Sequence, residues 1–126
     1  MPFEFNKLLD AEFLNALYLD DFLYAEEVFG NFLKQNETEI RVLDTLVLKG
    51  DTTKFRSQLH KIKPTFSLVG LGILTAESEK LIELCDKTPE LEIIVQQYKT
   101  WQLLVNEWMP YVQKEYQRLQ SYNQEQ

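Results

Sequence analysis

One cysteine, one histidine, four glycines and four prolines are all that the 126 residues hold of those types. A lone thiol, Cys85, has no partner for an internal disulfide and fits a reducing compartment. His60 and Cys85, 25 positions apart, do not make a metal-ligand set. So few glycines and prolines leave little room for a turn-rich all-β fold. No apolar run approaches the roughly 20 residues that span a bilayer, and the acidic start Met-Pro-Phe-Glu lacks the basic region of a secretory signal. There is no glycine-rich phosphate loop and no Ser/His/Asp arrangement of nucleophile and base. Basic residues are also short, with 13 Lys and Arg against 20 Asp and Glu for a net charge of −7. Nucleic acid and anionic membrane both reward a large basic surface, so neither is an expected partner. These absences predict a cytoplasmic protein whose partners are other proteins.

What is present is helical periodicity. Hydrophobic residues at 44% and charged residues at 26% fit one soluble domain over residues 1–126. Asp10 is placed to cap a short helix, DAEFLNALYL, with an apolar ridge of Phe13, Leu14 and Leu17. Asp20 or Asp21 starts a rod reaching Leu48, with Phe22, Ala25, Phe29, Phe32, Ile40, Leu43 and Val47 at spacings mostly of three and four. Asn36 interrupts that stripe, but the stripe resumes in phase, which favours one continuous helix. Lys49-Gly50-Asp51 is the clearest boundary: lysine suits a helix end, glycine can turn left-handed beyond it, and aspartate caps the next helix.

The helix from Thr52 is expected to run to about Val69, where Gly70 and Gly72 end or bend it and let the following helix pack closely. Ile73 to Lys87 reads as that helix, with Leu74, Ser78, Leu81 and Cys85 inward. Thr88-Pro89-Glu90 predicts a capped restart. Leu91, Ile94, Tyr98, Trp101, Val105, Trp108, Val112 and Leu119 then mark the inner face of the last stretch. Pro110 predicts a kink near Asn106, or two helices meeting there. Residues up to about Lys7 are expected to be loosely held, although Phe3 and Phe5 can pack on the bundle, and the tail SYNQEQ is expected to fray. Four amphipathic helices on short loops predict an all-α fold: an antiparallel four-helix bundle with a short accessory N-terminal helix.

The stretch Ser57–Gly72, SQLHKIKPTFSLVGLG, holds the histidine. At about 100° of turn per residue its side chains sort into two stripes. Phe55, Leu59, Ile62, Phe66 and Val69 form an inward face; Thr53, Arg56, Ser57, His60, Lys63, Pro64 and Ser67 form a face for solvent or a partner. Lys63, three residues after His60, is its neighbour on that face, with Cβ atoms about 5–6 Å apart. Ser57, Pro64 and Ser67 are small or compact and leave the imidazole prominent. From Thr52 to Ala76 there is no Asp or Glu, whereas Lys54, Arg56, Lys61 and Lys63 all fall there. An acidic protein is thus expected to carry a basic patch around its histidine.

The run His60-Lys61-Ile62-Lys63-Pro64-Thr65, with a small residue at Ser67 and glycine at Gly70, closely resembles the signature of histidine-containing phosphotransfer (HPt) domains. Phe29 and Phe32, Gly50-Asp51 and the helix around Leu81 to Cys85 match outward positions of that pattern. The resemblance covers roughly residues 20–87, and the flanks by helical character only. Pro64 departs from it, standing where the family usually has glycine. A proline there removes the N–H that would bond the His60 carbonyl, so a local bend is expected.

The resemblance implies the four-helix bundle already drawn from pattern. It also implies phosphorylation of His60 on Nε2 by a receiver-domain phospho-aspartate, with onward transfer to another receiver aspartate. The partners it implies are a hybrid sensor histidine kinase and a response-regulator receiver domain; the receiver brings the Mg²⁺, and this chain has no cofactor of its own. A neutral imidazole offers a ring lone pair without needing a base to activate it. Lys63 is expected to neutralise phosphoryl oxygens, and Arg56, Ser57, Lys61, Pro64 and Ser67 to form the docking face. No carboxylate lies on the His60 stripe to position a hydrolytic water, which suits a carrier, not an enzyme. The expected protein is monomeric, and the initial methionine fits a free-standing one. The rival reading is a helical adaptor that docks a signalling protein without carrying phosphate. A cofactor-holding bundle enzyme is disfavoured because the inward positions offer almost no ligands; Cys85, Trp101 and Trp108 read as core.

Overall fold

The computed structural model describes residues 2–126. Among them the chain forms five helices and no strand: α1 (Ala11–Tyr18), α2 (Phe22–Leu48), α3 (Thr52–Ser67), α4 (Gly72–Asp86) and α5 (Leu91–Gln124). The four long helices touch in a closed ring, α2 against α3 and α5, and α4 against α3 and α5, while α1 packs beside α2. Cross-links between α2 and α5 run in opposite directions along the chain. Asn123 meets Phe22 and Glu26, Asn36 meets Met109, and Asp44 meets Gln102 and Tyr98. No helix among the described residues is long and apolar enough to cross a membrane.

The spacing argument for α2 holds through Asn36. The helix is continuous over 27 residues, about 40 Å at 1.5 Å per residue. Asn36 is buried and its amide finds the Met109 thioether at 3.6 Å, so its polar group is satisfied without breaking the rod. Asp21 caps α2 by accepting from Tyr24 N at 3.1 Å, and Asp51 caps α3 by accepting from Lys54 N at 3.1 Å. Gly50 between them takes φ +69°, the left-handed turn that only glycine adopts cheaply.

Phe55, Leu59, Ile62, Phe66 and Val69 are all buried, each fully buried aliphatic or aromatic side chain contributing about 1.5–3 kcal/mol. Leu74, Ser78, Leu81 and Cys85 are buried on α4 as expected. The buried Ser78 hydroxyl accepts from the Trp101 indole at 2.9 Å, so that polar pair is closed. Ile94, Tyr98, Trp101, Val105, Val112 and Leu119 bury the inner face of α5, whereas Leu91 is exposed and Trp108 only half-buried.

Several expectations are corrected. On α1 the buried pair is Leu14 and Tyr18, one turn apart; Phe13 and Leu17 are exposed, because a two-turn helix lying on a neighbour has a single line of contact. Asp10 precedes α1 but does not cap it with its side chain. Its Oδ2 instead accepts from Gly72 N at 2.8 Å, at the start of α4. What Gly70 and Gly72 admit is therefore the N-terminal segment and not a neighbouring long helix. Gly70 has φ +78°, and a Cβ there would lie 2.8 Å from Leu14 Cδ1 and 2.9 Å from Leu9 Cβ. α3 ends at Ser67, two residues before the expected Val69.

Thr88-Pro89-Glu90 is not the first turn of α5. Thr88 takes φ +47°, Glu90 is the residue before the helix, and α5 begins at Leu91. α5 then runs unbroken through Pro110 to Gln124, so two meeting helices are excluded. The segments near both ends of the described residues are packed. Phe5 is buried, and Phe3 meets the rings of Phe22 and Tyr122 at 5.2 and 5.6 Å. Asn123 donates to the Phe22 carbonyl at 2.9 Å and to Glu26 at 2.8 Å. The buried Glu115 accepts from Asn6 N at 2.6 Å and pairs with Arg118, which also bonds the Glu4 carbonyl. A polar tail is thus held by its few specific bonds, which composition does not reveal.

Candidate functional site

The inward stripe of α3 fixes which side of the helix faces out. Rotation of about 100° per residue puts Lys63, Arg56 and Ser67 side by side, His60 within about 40° of Arg56, and Pro64, Ser57 and Lys61 further round. The structure follows that order. His60, Ser57, Lys61 and Pro64 are exposed, whereas Arg56, Lys63 and Ser67 are half-buried against α4. α3 continues as helix through Pro64, and with no proline N–H the His60 carbonyl has no partner four residues ahead.

Three side-chain contacts stitch this edge of α3 to α4. Arg56 grips Asp86 through two N–H groups at 2.6 and 3.2 Å. Lys63 Nζ meets Glu79 Oε2 at 2.6 Å. The Ser67 and Thr75 hydroxyls are 2.7 Å apart, and Thr75 also donates to the Lys63 carbonyl at 3.4 Å. Partner numbers fall along α4 by as much as they rise along α3, so the two helices are antiparallel in one fixed register. That register sets His60 level with Ile82, which is buried. The exposed imidazole therefore sits in the gap between two ion pairs, one turn from each.

The free basic patch expected from the acid-free stretch is corrected here. Its central cations, Arg56 and Lys63, are countered by carboxylates brought from α4, because acids absent from one helix are supplied by the next. The Arg56 guanidinium holds the Asp86 carboxyl below its ordinary value, chiefly through the hydrogen bond, and Asp86 in turn raises Arg56. Lys54 and Lys61 form no ion pair among the described residues and are the remaining uncompensated charges on α3. Glu79, Asp86 and Thr75 were not anticipated. One signal could have found them: Glu79 and Asp86 are seven apart, the same spacing as Arg56 and Lys63 on the neighbouring helix.

Elsewhere, burial pushes the Cys85 thiol above its ordinary value, which leaves it protonated and unreactive at neutral pH. Among the described residues no group of three or more His, Cys, Asp or Glu is placed to hold a metal ion. A cleft of about 250 Å³ between α4 and α5, lined in part by Leu81, Leu84, Trp101 and Leu104, shares no residue with the His60 edge. No family model, curated protein or solved structure matches the chain.

Proposed function

We propose that this chain is a cytoplasmic phosphorelay intermediate built on an antiparallel four-helix bundle with an accessory N-terminal helix. The observation that carries this reading is the exposed His60 ring, midway along α3, with a cation one turn away on each side. The likeness of residues 60–70 to the HPt signature supports the same reading. A receiver-domain phospho-aspartate docks on the face of Ser57, His60, Lys61 and Pro64. The Nε2 lone pair attacks phosphorus, the P–O bond to the aspartate breaks, and its electron pair leaves on the carboxylate. The ring keeps its Nδ1 proton and becomes a cationic phosphoimidazole, so no external base is consumed. Attack by a second receiver aspartate reverses the step and restores neutral His60. The chain acts as a carrier and not as an enzyme.

The test is incubation with a phosphorylated receiver domain, followed by assay for acid-labile, base-stable label on this chain. Label is expected on the native protein and absent from His60→Gln. Label that survives the substitution moves the acceptor elsewhere; no label from any receiver leaves the adaptor reading. Lys63→Ala is expected to lower the yield or shorten the lifetime of the phosphohistidine with the helical circular-dichroism signal kept, and unchanged yield and lifetime remove Lys63 from the mechanism.

A further inference from the structure

The Lys63 ammonium, the cation that the HPt resemblance assigns to a phosphoryl group on His60, is not free: it is bound to Glu79 at 2.6 Å, with side-chain exposures of 25% and 43%. The other flanking cation is held differently. Arg56 uses a planar fork on both oxygens of Asp86, a geometry that gives up two bonds when it lets go. Lys63 makes a single carboxylate contact through a group with three donors on a flexible four-carbon stem. A phosphoryl group carries about −1.5 to −2 charges at neutral pH, against one on Glu79. The cationic ring offsets part of that charge, but the three phosphoryl oxygens can accept from more than one of the ammonium's donors, and this favours the phosphoryl. Glu79 is half-exposed, so water can solvate its carboxylate once the ammonium leaves.

We propose that Glu79 is a positioning residue that parks the Lys63 ammonium while His60 is bare and releases it to the phosphoryl oxygens once the ring is loaded. This rests on the carrier reading. The exchange breaks no covalent bond and moves no proton; one ion pair replaces another. Its consequence is a carrier whose bare form shows a neutralised edge to an approaching acidic receiver, and whose loaded form exposes a new negative charge at Glu79. Carboxylate competition also limits how strongly Lys63 holds the phosphoryl, which keeps onward transfer easy.

The test uses the full chain, Glu79→Gln, Lys63→Ala and the double variant, with phosphoramidate as the phosphoryl donor. In the bare protein, acetylation of Lys63 followed by mass spectrometry is expected to run slower than in Glu79→Gln, with Lys61 as internal reference; equal rates overturn the parking. In the loaded protein, Glu79→Gln is expected to lengthen the phosphohistidine lifetime roughly two- to fivefold, the span of a partly exposed ion pair. That gain is expected to vanish in the Lys63→Ala background. A gain that persists without Lys63, or no gain at all, overturns the exchange while leaving the carrier intact. No label on His60 in any of the proteins overturns the carrier and the exchange together, and the acetylation rates still report the bare-state pair.

Discussion

On its inner side α3 meets α2 and α5 through rings. Phe55 contacts Tyr98, and Phe66 contacts Phe32 and Trp101, at centroid separations of 5.2, 5.7 and 6.0 Å. On its outer edge the same helix meets α4 through two ion pairs and a pair of hydroxyls. The first set is dry, shape-dependent and without alternatives: removing a ring leaves a hole. The second is wet and exchangeable, since each charged group has water as a second partner. The difference teaches how one helix can be fixed on one side and exchangeable on the other. The interior holds α3 in place, so the edge is free to change charge and partner without unfolding the protein.

Substitutions on the two sides should separate by size of effect. Phe66→Ala is expected to lower the unfolding free energy by about 3–5 kcal/mol, measured by urea denaturation; a loss under half of that would mean the interior collapses around the missing ring. Gly70→Ala forces a Cβ against Leu14 and Leu9 at a positive φ and is expected to cost about 2 kcal/mol. A neutral result would show that the N-terminal segment is not clamped there.

Smaller still is the contribution of two phenols. Burial raises Tyr18 above its ordinary value, with Tyr24 adding to it; burial and then the bond to Asp44 raise Tyr98. Their folded values exceed their unfolded ones, so the contribution is complete below about pH 10 and is lost as pH climbs above it. Stability should be level from neutral pH to about 8.5, slip slightly as the raised Cys85 thiol is passed, and fall more steeply beyond about 10. Phe at position 98 should flatten that alkaline fall while costing about 1 kcal/mol at pH 7 for the hydrogen bond; an unchanged alkaline limb would acquit Tyr98. The least effect is expected on the outer edge, where Arg56→Ala should leave the urea midpoint unmoved at pH 7. The Asp86 carboxyl is held low, so any contribution of this pair is present above the ordinary carboxylate range and fades as pH falls through it. A clear loss of stability in Arg56→Ala would erase the distinction between the two sides.

The inward stripes of α2, α3 and most of α5 were legible in the sequence because burial obeys helical period, and the Gly50-Asp51 boundary because turn and cap chemistry is local. His60 was legible as an exposed side chain for the same reason. What escaped is contact between segments far apart in the chain. Glu79 reaches Lys63 across 16 positions and Asp86 reaches Arg56 across 30. Asp10 serves α4 from 62 positions away. Such pairings depend on the register of one helix against another, which periodicity within each helix leaves open. The C-terminal turns were misjudged because polarity was read as looseness, although Asn123 binds the start of α2.

Those last turns have a consequence for the architecture as a whole. Phe3 lies against Tyr122, and Arg118 stacks over Phe3 at 4.7 Å, so the beginning and end of the described chain are neighbours. A short flexible linker could join them, and the backbone could be opened between Thr88 and Glu90 instead. Such a circular permutant would keep the His60 edge intact and show that its geometry belongs to the closed ring of helices, whatever the order in which they are threaded.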